Sequence, residues 1–256
     1  EARQKVAKLI NAAPDEIVFT SCGTESDNSA VHFALNACPE KKHIITSNVE
    51  HPAINNLFKY LKQKKGYRVT FVPVDEKGML DLNALYESLS DDTALVSLMW
   101  ANNETGVLFP VAEVAEKIKE KGILFHTDAV QAVGKVSVDV QAARVDFLSL
   151  SGHKIHAPKG IGALYVRKGL KVSPFLIGGH QEKGRRGGTE NVASMIALGK
   201  AAELAEKGLH GMDTKVKELR NYLQNKLLEK IPACSVNGDL ENRLPNTLSI
   251  GFDAVE

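Results

Sequence analysis

Long hydrophobic segments and an excess of charge of either sign are both missing from this sequence. Purely apolar stretches, such as residues 94–96 and 98–101, are far shorter than the roughly 20 residues that a membrane-spanning helix needs. The 32 Lys and Arg residues nearly balance the 31 Asp and Glu residues, which leaves a net charge of +1. The composition therefore predicts no bilayer-spanning segment, and no positive field that would attract nucleic acid or an anionic membrane.

Cysteines and glycine-rich nucleotide motifs are also scarce. The three cysteines, Cys22, Cys38 and Cys234, have no CxxC or zinc-like spacing, and their odd number fits a reducing compartment better than a disulfide scaffold. We expect a cytoplasmic location and no metal site. Neither a Walker A motif nor a GxGxxG motif occurs, which favours a compact phosphate group over a nucleoside triphosphate or a dinucleotide as ligand.

Both ends of the sequence interrupt a structural pattern. The chain begins at Glu1 inside an amphipathic helical pattern, without an initial Met or a secretory signal. It stops at Glu256, just after a strand-like run at residues 246–252 that has no partner segment to complete a sheet. We therefore expect further residues before and after this sequence.

Short apolar runs alternate with amphipathic stretches along most of the chain. Of the 256 residues, 43% are hydrophobic, which is enough to form a large core. Continuous apolar runs are typical of strands that are covered on both faces. The predicted fold class is α/β, with a mainly parallel central sheet and helices on both faces. Strands are predicted at residues 16–20, 43–47, 69–72, 94–100, 123–127, 146–150 and 163–166, and helices at 28–36, 54–64, 82–89 and 111–121.

The pattern changes after Asn191 to one long helical region at residues 193–230. Gly208 and Gly211 interrupt it, and glycines inside a helix lower its stability and suggest a hinge. We predict a domain boundary there. Residues 1–208 form a large domain whose N-terminal segment is missing, and residues 209–256 form part of a smaller α+β C-terminal domain.

Polar residues cluster where the predicted strands end. In an open α/β sheet, ligands bind outside the carboxyl ends of the strands. We therefore expect these clusters to face one site. They lie at residues 21–26, 50–51, 102–106, 126–131 and 151–154.

Lys154 and Asp128 are the most informative members of these clusters. Lys154 ends the string Ser-Gly-His-Lys after the apolar run at residues 145–150, where a partly desolvated amine can attack a carbonyl. Asp128 closes a second apolar run, and its buried carboxylate needs a cationic partner. A protonated ring nitrogen is one such partner, and a structural arginine or a helix cap is the alternative. Gln131 lies close enough in sequence to donate to an oxygen near the same ring.

Gly23 and Thr24 lie between a predicted strand and a predicted helix. Backbone amides and a hydroxyl that converge at a helix N-terminus bind anions. The alternative interpretation is an ordinary strand-to-helix turn with Thr24 or Ser26 as the N-cap.

His51 and Asn103 are weak signals when taken alone. An isolated histidine is more typical of a packed or surface position, and asparagine-rich turns are usually only turns. The glycine-rich, basic loop at residues 178–189 is either a flexible surface loop or an anion-binding loop that acts across a subunit boundary. Arg185, Arg186 and Thr189 in this loop are suited to phosphate.

The set of candidates is more informative than any single member. An amine, a carboxylate, a phosphate cradle and a ring-facing histidine are the groups that pyridoxal 5'-phosphate requires. In such a site the lysine forms a Schiff base, and the aspartate keeps the pyridine nitrogen protonated so that the ring acts as an electron sink.

Four strings in the sequence resemble the cysteine desulfurases, which are PLP-dependent enzymes of fold type I in the aminotransferase class V family. The resemblance covers essentially the whole chain. Residues 100–101 and 156–158 resemble the NifS branch, which supplies sulfur for the iron-sulfur clusters of nitrogenase in nitrogen fixation. The four strings lie at residues 126–135, 151–160, 100–106 and 178–191.

This resemblance implies a role for each candidate residue. Lys154 would hold the cofactor and later move protons, and His51 would stack on its ring and assist proton transfer. Asp128 would pair with the ring nitrogen, Gln131 with the phenolic oxygen, and Asn103 with a cofactor oxygen or the substrate carboxylate. Thr189 would reach the phosphate of a neighbouring subunit, which implies a homodimer. The remaining phosphate ligands would be Gly23, Thr24, Ser151 and His153.

The implied reaction converts L-cysteine to L-alanine and passes persulfide sulfur to an iron-sulfur scaffold protein. In the family, a cysteine on a mobile loop attacks the sulfur, and an arginine clamps the substrate carboxylate. The resemblance implies that both follow the strand-like run at residues 246–252, so we expect them to lie outside this chain. Cys22, Cys38 and Cys234 do not fit the loop motif and are interpreted as structural or incidental. The alternatives are a selenocysteine lyase, an aminotransferase of the same fold, or a noncatalytic assembly module that only holds the cofactor.

Overall fold

Seven strands form the central sheet of the protein, whose computed structural model describes residues 1–253. Their order across the sheet is β1-β7-β6-β5-β4-β2-β3. The predicted strands are all confirmed, with ends that shift by one residue at most. Their bounds are β1 Ile17–Thr20, β2 His43–Ser47, β3 Arg68–Val72, β4 Thr93–Met99, β5 Leu124–Asp128, β6 Phe147–Ser151 and β7 Gly162–Val166.

The sheet is parallel except for β7, which runs antiparallel to both of its neighbours, β1 and β6. The pairs β2–β3, β2–β4, β4–β5 and β5–β6 are all parallel. The predicted α/β class with a mainly parallel sheet is therefore confirmed. Because six strands point the same way, their carboxyl ends meet at one edge of the sheet.

Helices cover both faces of this sheet. Buried side chains of α1, α5 and α6 pack in one apolar cluster, and those of α2 and α3 pack in a second. Strand β4 is buried along its whole length because alternate residues enter the two clusters, Val96 and Leu98 on one side and Leu95 on the other. The helices are α1 Ala2–Leu9, α2 Gly23–Ala37, α3 Pro52–Lys65, α4 Leu82–Ser88, α5 Val111–Glu120, α6 Val192–Gly211 and α7 Lys217–Lys230.

The long C-terminal helical region contains a local irregularity rather than a break at its glycines. Helix α6 continues through Gly208 to Gly211, a π-helical turn follows at Met212–Val216, and α7 begins at Lys217. A boundary at residues 208/209 stays a prediction. The last three residues of the predicted second domain, 254–256, lie outside the described residues.

One expectation about the C-terminal segment is wrong. The strand-like run at residues 246–252 does have a partner, because β9 (Ile250–Phe252) pairs antiparallel with β8 (Cys234–Val236). The sequence did not predict β8 because this strand has only three residues, of which Ser235 is polar and exposed. Three residues are too few for apolar alternation to be recognised.

No helix among residues 1–253 combines the length and the apolar character that would let it cross a bilayer.

Candidate active site

A cavity of about 340 Å³ lies at the edge of the sheet where the parallel strands end. This volume falls in the range of small-molecule sites. The cavity collects side chains from loops that are far apart in sequence. Every predicted site residue except Thr189 lines it: Gly23, Thr24, His51, Asn103, Asp128, Gln131, Ser151, His153 and Lys154.

One end of the cavity is built to receive an anion. Helix α2 begins at Gly23, and its N-cap Cys22 provides no capping hydrogen bond from its side chain. The first backbone bond of the helix joins the Ser26 N–H to the Cys22 carbonyl, so the preceding amides and the positive end of the helix dipole are available to a ligand. A Cβ on Gly23 would lie 2.9 Å from Val130 Cγ2. Only glycine therefore keeps this helix end open.

Hydroxyl and imidazole groups add to the same end. Ser151 Oγ and His153 Nδ1 are 2.9 Å apart, and both residues line the cavity. Burial, followed by the charge of Lys154, lowers the pKa of His153. A neutral imidazole and two hydroxyl groups, those of Ser151 and Thr24, fit a compact phosphate ester.

Asp128 marks a second, acidic end of the cavity. It is the last residue of β5, it is 7% exposed, and its Oδ1 accepts a hydrogen bond from the Val130 N–H at 2.9 Å. Within residues 1–253 no Lys or Arg pairs with its carboxylate. Burial raises the pKa of Asp128, whereas the hydrogen bond from the Val130 N–H and the charge of Lys154 act in the opposite direction. Among residues 1–253, the structural arginine that was the alternative partner of Asp128 is therefore not found.

Lys154 lies in the short turn Gly152–Ile155 that follows β6. It is half-buried, and no carboxylate of the described chain lies within ion-pair distance of its Nζ. Lys154 also lines a second cavity of about 580 Å³. There Lys135 is its neighbour, and burial followed by the charge of Lys154 lowers the pKa of Lys135 to about 8. An unpaired amine at this position is free to react with an electrophile in the first cavity.

His51 is held at the cavity by the helix that follows it. It is the N-cap of α3, and its Nδ1 accepts a hydrogen bond from the Ala53 N–H at 3.1 Å, directly after Pro52 at the first helical position. An imidazole nitrogen that accepts carries no proton, so the neutral ring has its proton on Nε2.

The paired asparagines have different roles. Asn102 is buried, and its Oδ1 accepts from the Glu104 and Thr105 N–H groups at 2.9 Å each, so it stabilises the turn. Asn103 lines the cavity, where its Nδ2 donates to Glu104 Oε1 at 2.6 Å. The turn formed by Asn102 therefore presents Asn103 to the site.

Thr189 is the one predicted residue that lies elsewhere. It is exposed and lines a separate cavity of about 180 Å³. The arginines of its loop are occupied within the chain. Arg186 forms a two-point ion pair with Glu25 (2.8 and 3.2 Å), and Arg185 donates to the carbonyls of Asp15 and Ile17. The prediction that these arginines bind phosphate is therefore not supported by their contacts.

Six residues of the cavity wall were not predicted as site residues: Cys22, Asp27, Met99, Ala101, Glu104 and Val130. Asp27 is 1% exposed and lies one turn after Gly23 on the same face of α2. The spacing of four residues between Gly23 and Asp27 was the feature of the sequence that could have predicted this position. Cys22 belongs to the cluster at residues 21–26 that was expected to face the site, and it lines the cavity at the anion end.

Comparisons with known proteins identify the family to which this chain belongs. The Aminotransferase class-V family model matches residues 1–256. A cysteine desulfurase of Nostoc sp. is 56% identical over 255 residues, which cover 100% of this chain and 64% of that protein. Cysteine desulfurase NifS of Azotobacter vinelandii is 54% identical over 257 residues, with the same coverage of 100% and 64%.

A solved structure described as a NifS-like protein superposes with a TM-score of 0.94 at 40% identity, covering 99% of this chain and 70% of that one. The chain thus spans 64% of the length of the curated relatives that it matches.

Proposed function

Because the chain belongs to the aminotransferase class-V family, we propose that it is the cofactor-binding part of a PLP-dependent cysteine desulfurase. The proposed reaction converts L-cysteine to L-alanine and enzyme-bound persulfide sulfur. The observation that carries this proposal is the single cavity that joins an unpaired lysine, a buried aspartate and an open helix N-terminus. The 56% identical relative is named for the same activity.

The chemistry of the cavity fits pyridoxal 5'-phosphate at three points. The uncapped start of α2 with Ser151 fits the phosphate. The Asp128 carboxylate, which has no cation in the described chain, fits a protonated ring nitrogen. The Lys154 amine fits the aldehyde. When bound, the cofactor supplies an electron sink for the carbanion formed on the amino acid.

The chain's own residues would bind the cofactor, orient the substrate and transfer protons. Gly23, Thr24 and Ser151 would donate to the phosphate, with His153 beside them, and Gln131 would donate to the phenolic oxygen. His51 would stack on the ring and move a proton through Nε2. Asn103 would orient the substrate carboxylate or a cofactor oxygen, and Lys154 would return as a proton carrier once the substrate amine has replaced it.

Sulfur transfer needs a thiolate nucleophile. Cys38 and Cys234 do not line the cavity, and Cys22 lies at the anion end beside the start of α2. We assign the attack to none of these three. We propose that the sulfur-carrying cysteine belongs to the part of the relatives' length that this chain does not span.

The proposed partners are L-cysteine, a second subunit and an iron-sulfur scaffold protein that accepts the sulfur. The 54% identity to NifS supports a role in nitrogenase cluster assembly. The cytoplasm remains the proposed location.

Lys154→Ala in the full-length protein tests the function, with Lys159→Ala as the matched control, because Lys159 is an exposed lysine outside the cavity. We expect Lys154→Ala to lose the visible absorption of bound cofactor and the release of alanine and sulfide from cysteine, and Lys159→Ala to retain both. Retention of both by Lys154→Ala would refute the proposal. An exchanged amino group as product would indicate an aminotransferase, faster turnover of selenocysteine a selenocysteine lyase, and no spectral response to cysteine a noncatalytic module.

A further inference from the structure

Three buried carboxyl groups lie near one another at the acidic end, and two of them, Asp27 and Asp128, line the cavity. Asp27, Glu50 and Asp128 are 1%, 5% and 7% exposed. Within residues 1–253 no Lys or Arg forms an ion pair with any of them, and the nearest basic group is His126, whose Nε2 is 3.6 Å from Asp27 Oδ1. Buried carboxylates without cations are costly, and neighbouring ones cannot all be ionised.

The fold brings both Asp27 and Glu50 close to Asp128. Glu50 Oε1 accepts from the Met99 N–H at 2.9 Å, and Met99 is the register partner of Asp128 across β4 and β5. His126 precedes Asp128 by two residues on β5, so both project to the same face. Helix α2 packs on the sheet there and brings Asp27 to His126.

Backbone hydrogen bonds separate Asp27 from the other two acids. Asp128 Oδ1 accepts from the Val130 N–H and Glu50 Oε1 from the Met99 N–H, which stabilises their ionised forms, whereas Asp27 accepts no backbone N–H in the described chain. Asp27 Oδ1 and Glu50 Oε2 are sealed from solvent and have no hydrogen-bond partner in the described chain. Asp27 nevertheless lines the cavity, and its Oδ2 is not among these sealed, unpartnered oxygens.

We propose that Asp27 is a positioning residue. It is a neutral carboxylic acid that donates a hydrogen bond to the Asp128 carboxylate, so that Asp128 carries the only negative charge at the acidic end. This rests on the proposed function, in which Asp128 holds the ring nitrogen. A neutral acid can donate a hydrogen bond, whereas a carboxylate can only accept one.

The electrostatic surroundings agree with this assignment. Burial, followed by the charge of Asp128, raises the pKa of Asp27 well above its ordinary value. Burial raises the pKa of Glu50 to about 8 and lowers that of His126 to about 3, so a neutral His126 supplies no countercharge. The other titratable groups that face the three acids are Cys22 toward Asp27, and His51 and Lys154 toward Asp128.

The test compares Asp27→Asn, which keeps a neutral donor, with Asp27→Leu, which is neutral and of similar size but cannot donate. The readout is the dissociation constant of pyridoxal phosphate at pH 7. We expect Asp27→Asn to rescue binding to within about 3-fold of the parent, and Asp27→Leu to bind about 10- to 100-fold more weakly, as expected for a lost hydrogen bond to a charged group. Parental affinity in Asp27→Leu, or equal losses in both variants, would overturn the proposal.

Infrared spectroscopy of the cofactor-free protein gives an independent readout. The carbonyl stretch of a protonated carboxylic acid lies above that of a carboxylate, so the parent-minus-Asp27→Asn spectrum at pH 7 should contain a protonated-acid band. A carboxylate band in that difference would show that Asp27 is ionised and would contradict the proposal. This measurement holds even if the parent fails to bind pyridoxal phosphate, an outcome that would instead refute the proposed function.

Discussion

His51 Nδ1 accepts a hydrogen bond from the backbone N–H of Ala53 at 3.1 Å. One side chain thus caps helix α3 and forms part of the cavity wall. The bond fixes the proton of the neutral ring on Nε2, so Nε2 is the nitrogen that can donate a proton. Capping and chemistry can therefore be separated by substitution.

His51→Asn should keep the cap and remove the chemistry, because asparagine is a strong N-cap residue. We expect its free energy of unfolding to remain within about 0.5 kcal/mol of the parent, whereas His51→Ala should lose about 1 kcal/mol. Alanine formation from cysteine should fall by about 10²- to 10⁴-fold in both variants. Urea denaturation and product assays measure the two effects, and parental turnover in His51→Asn would disprove the proton-transfer role.

Gly23→Ala should close the anion end, since the new Cβ would lie 2.9 Å from Val130 Cγ2. We expect pyridoxal phosphate to bind at least about 10-fold more weakly, corresponding to roughly 1.4 kcal/mol. The control is Gly208→Ala in α6, where a Cβ meets nothing within 4 Å. That change should leave cofactor affinity unchanged and stabilise the fold by about 0.5–1 kcal/mol. Equal affinities in Gly23→Ala and the parent would argue against a phosphate at this helix end.

Glu50→Gln should change how stability depends on pH. Burial raises the pKa of Glu50 from 4.5 to about 8. Between these values the folded protein keeps a proton that the unfolded chain has released, so the parent loses stability as the pH rises. Glutamine can still accept from Met99 N–H and does not ionise. The stability advantage of Glu50→Gln over the parent should therefore grow from pH 4.5 to about 8 and then level off, reaching a few kcal/mol.

Urea midpoints of the two cofactor-free proteins at pH 5 and pH 9 measure this difference. A difference that does not depend on pH would show that Glu50 titrates normally.

Mixed dimers test whether Thr189 acts across a subunit boundary, since it does not line the cavity of its own chain. Subunits with Lys154→Ala and Thr189→Val are each expected to have impaired sites as homodimers. If Thr189 contributes to the site of the partner subunit, one site of the mixed dimer contains both substitutions and the other site contains neither. We expect cofactor binding to return to about half of the parental stoichiometry. If the mixed dimer does not recover cofactor binding, Thr189 contributes to the site of its own subunit instead.

The sequence by itself determined the seven strands of the central sheet, the fold class and most of the cavity wall. Those features follow from local patterns: continuous apolar runs predict buried strands, and polar residues directly after parallel strands must meet at one edge. Lys154 and Asp128 could be recognised in this way because each ends such a run, at β6 and β5.

Only the tertiary structure decided which distant side chains meet. Asp27 reaches His126 because α2 crosses the sheet over β5, and Arg186 pairs with Glu25 across 161 positions of sequence. The pairing of β8 with β9 also depends on contacts that leave no local periodicity. These relationships depend on long-range packing, burial and the exclusion of water. The same factors determine which groups at the acidic end are charged.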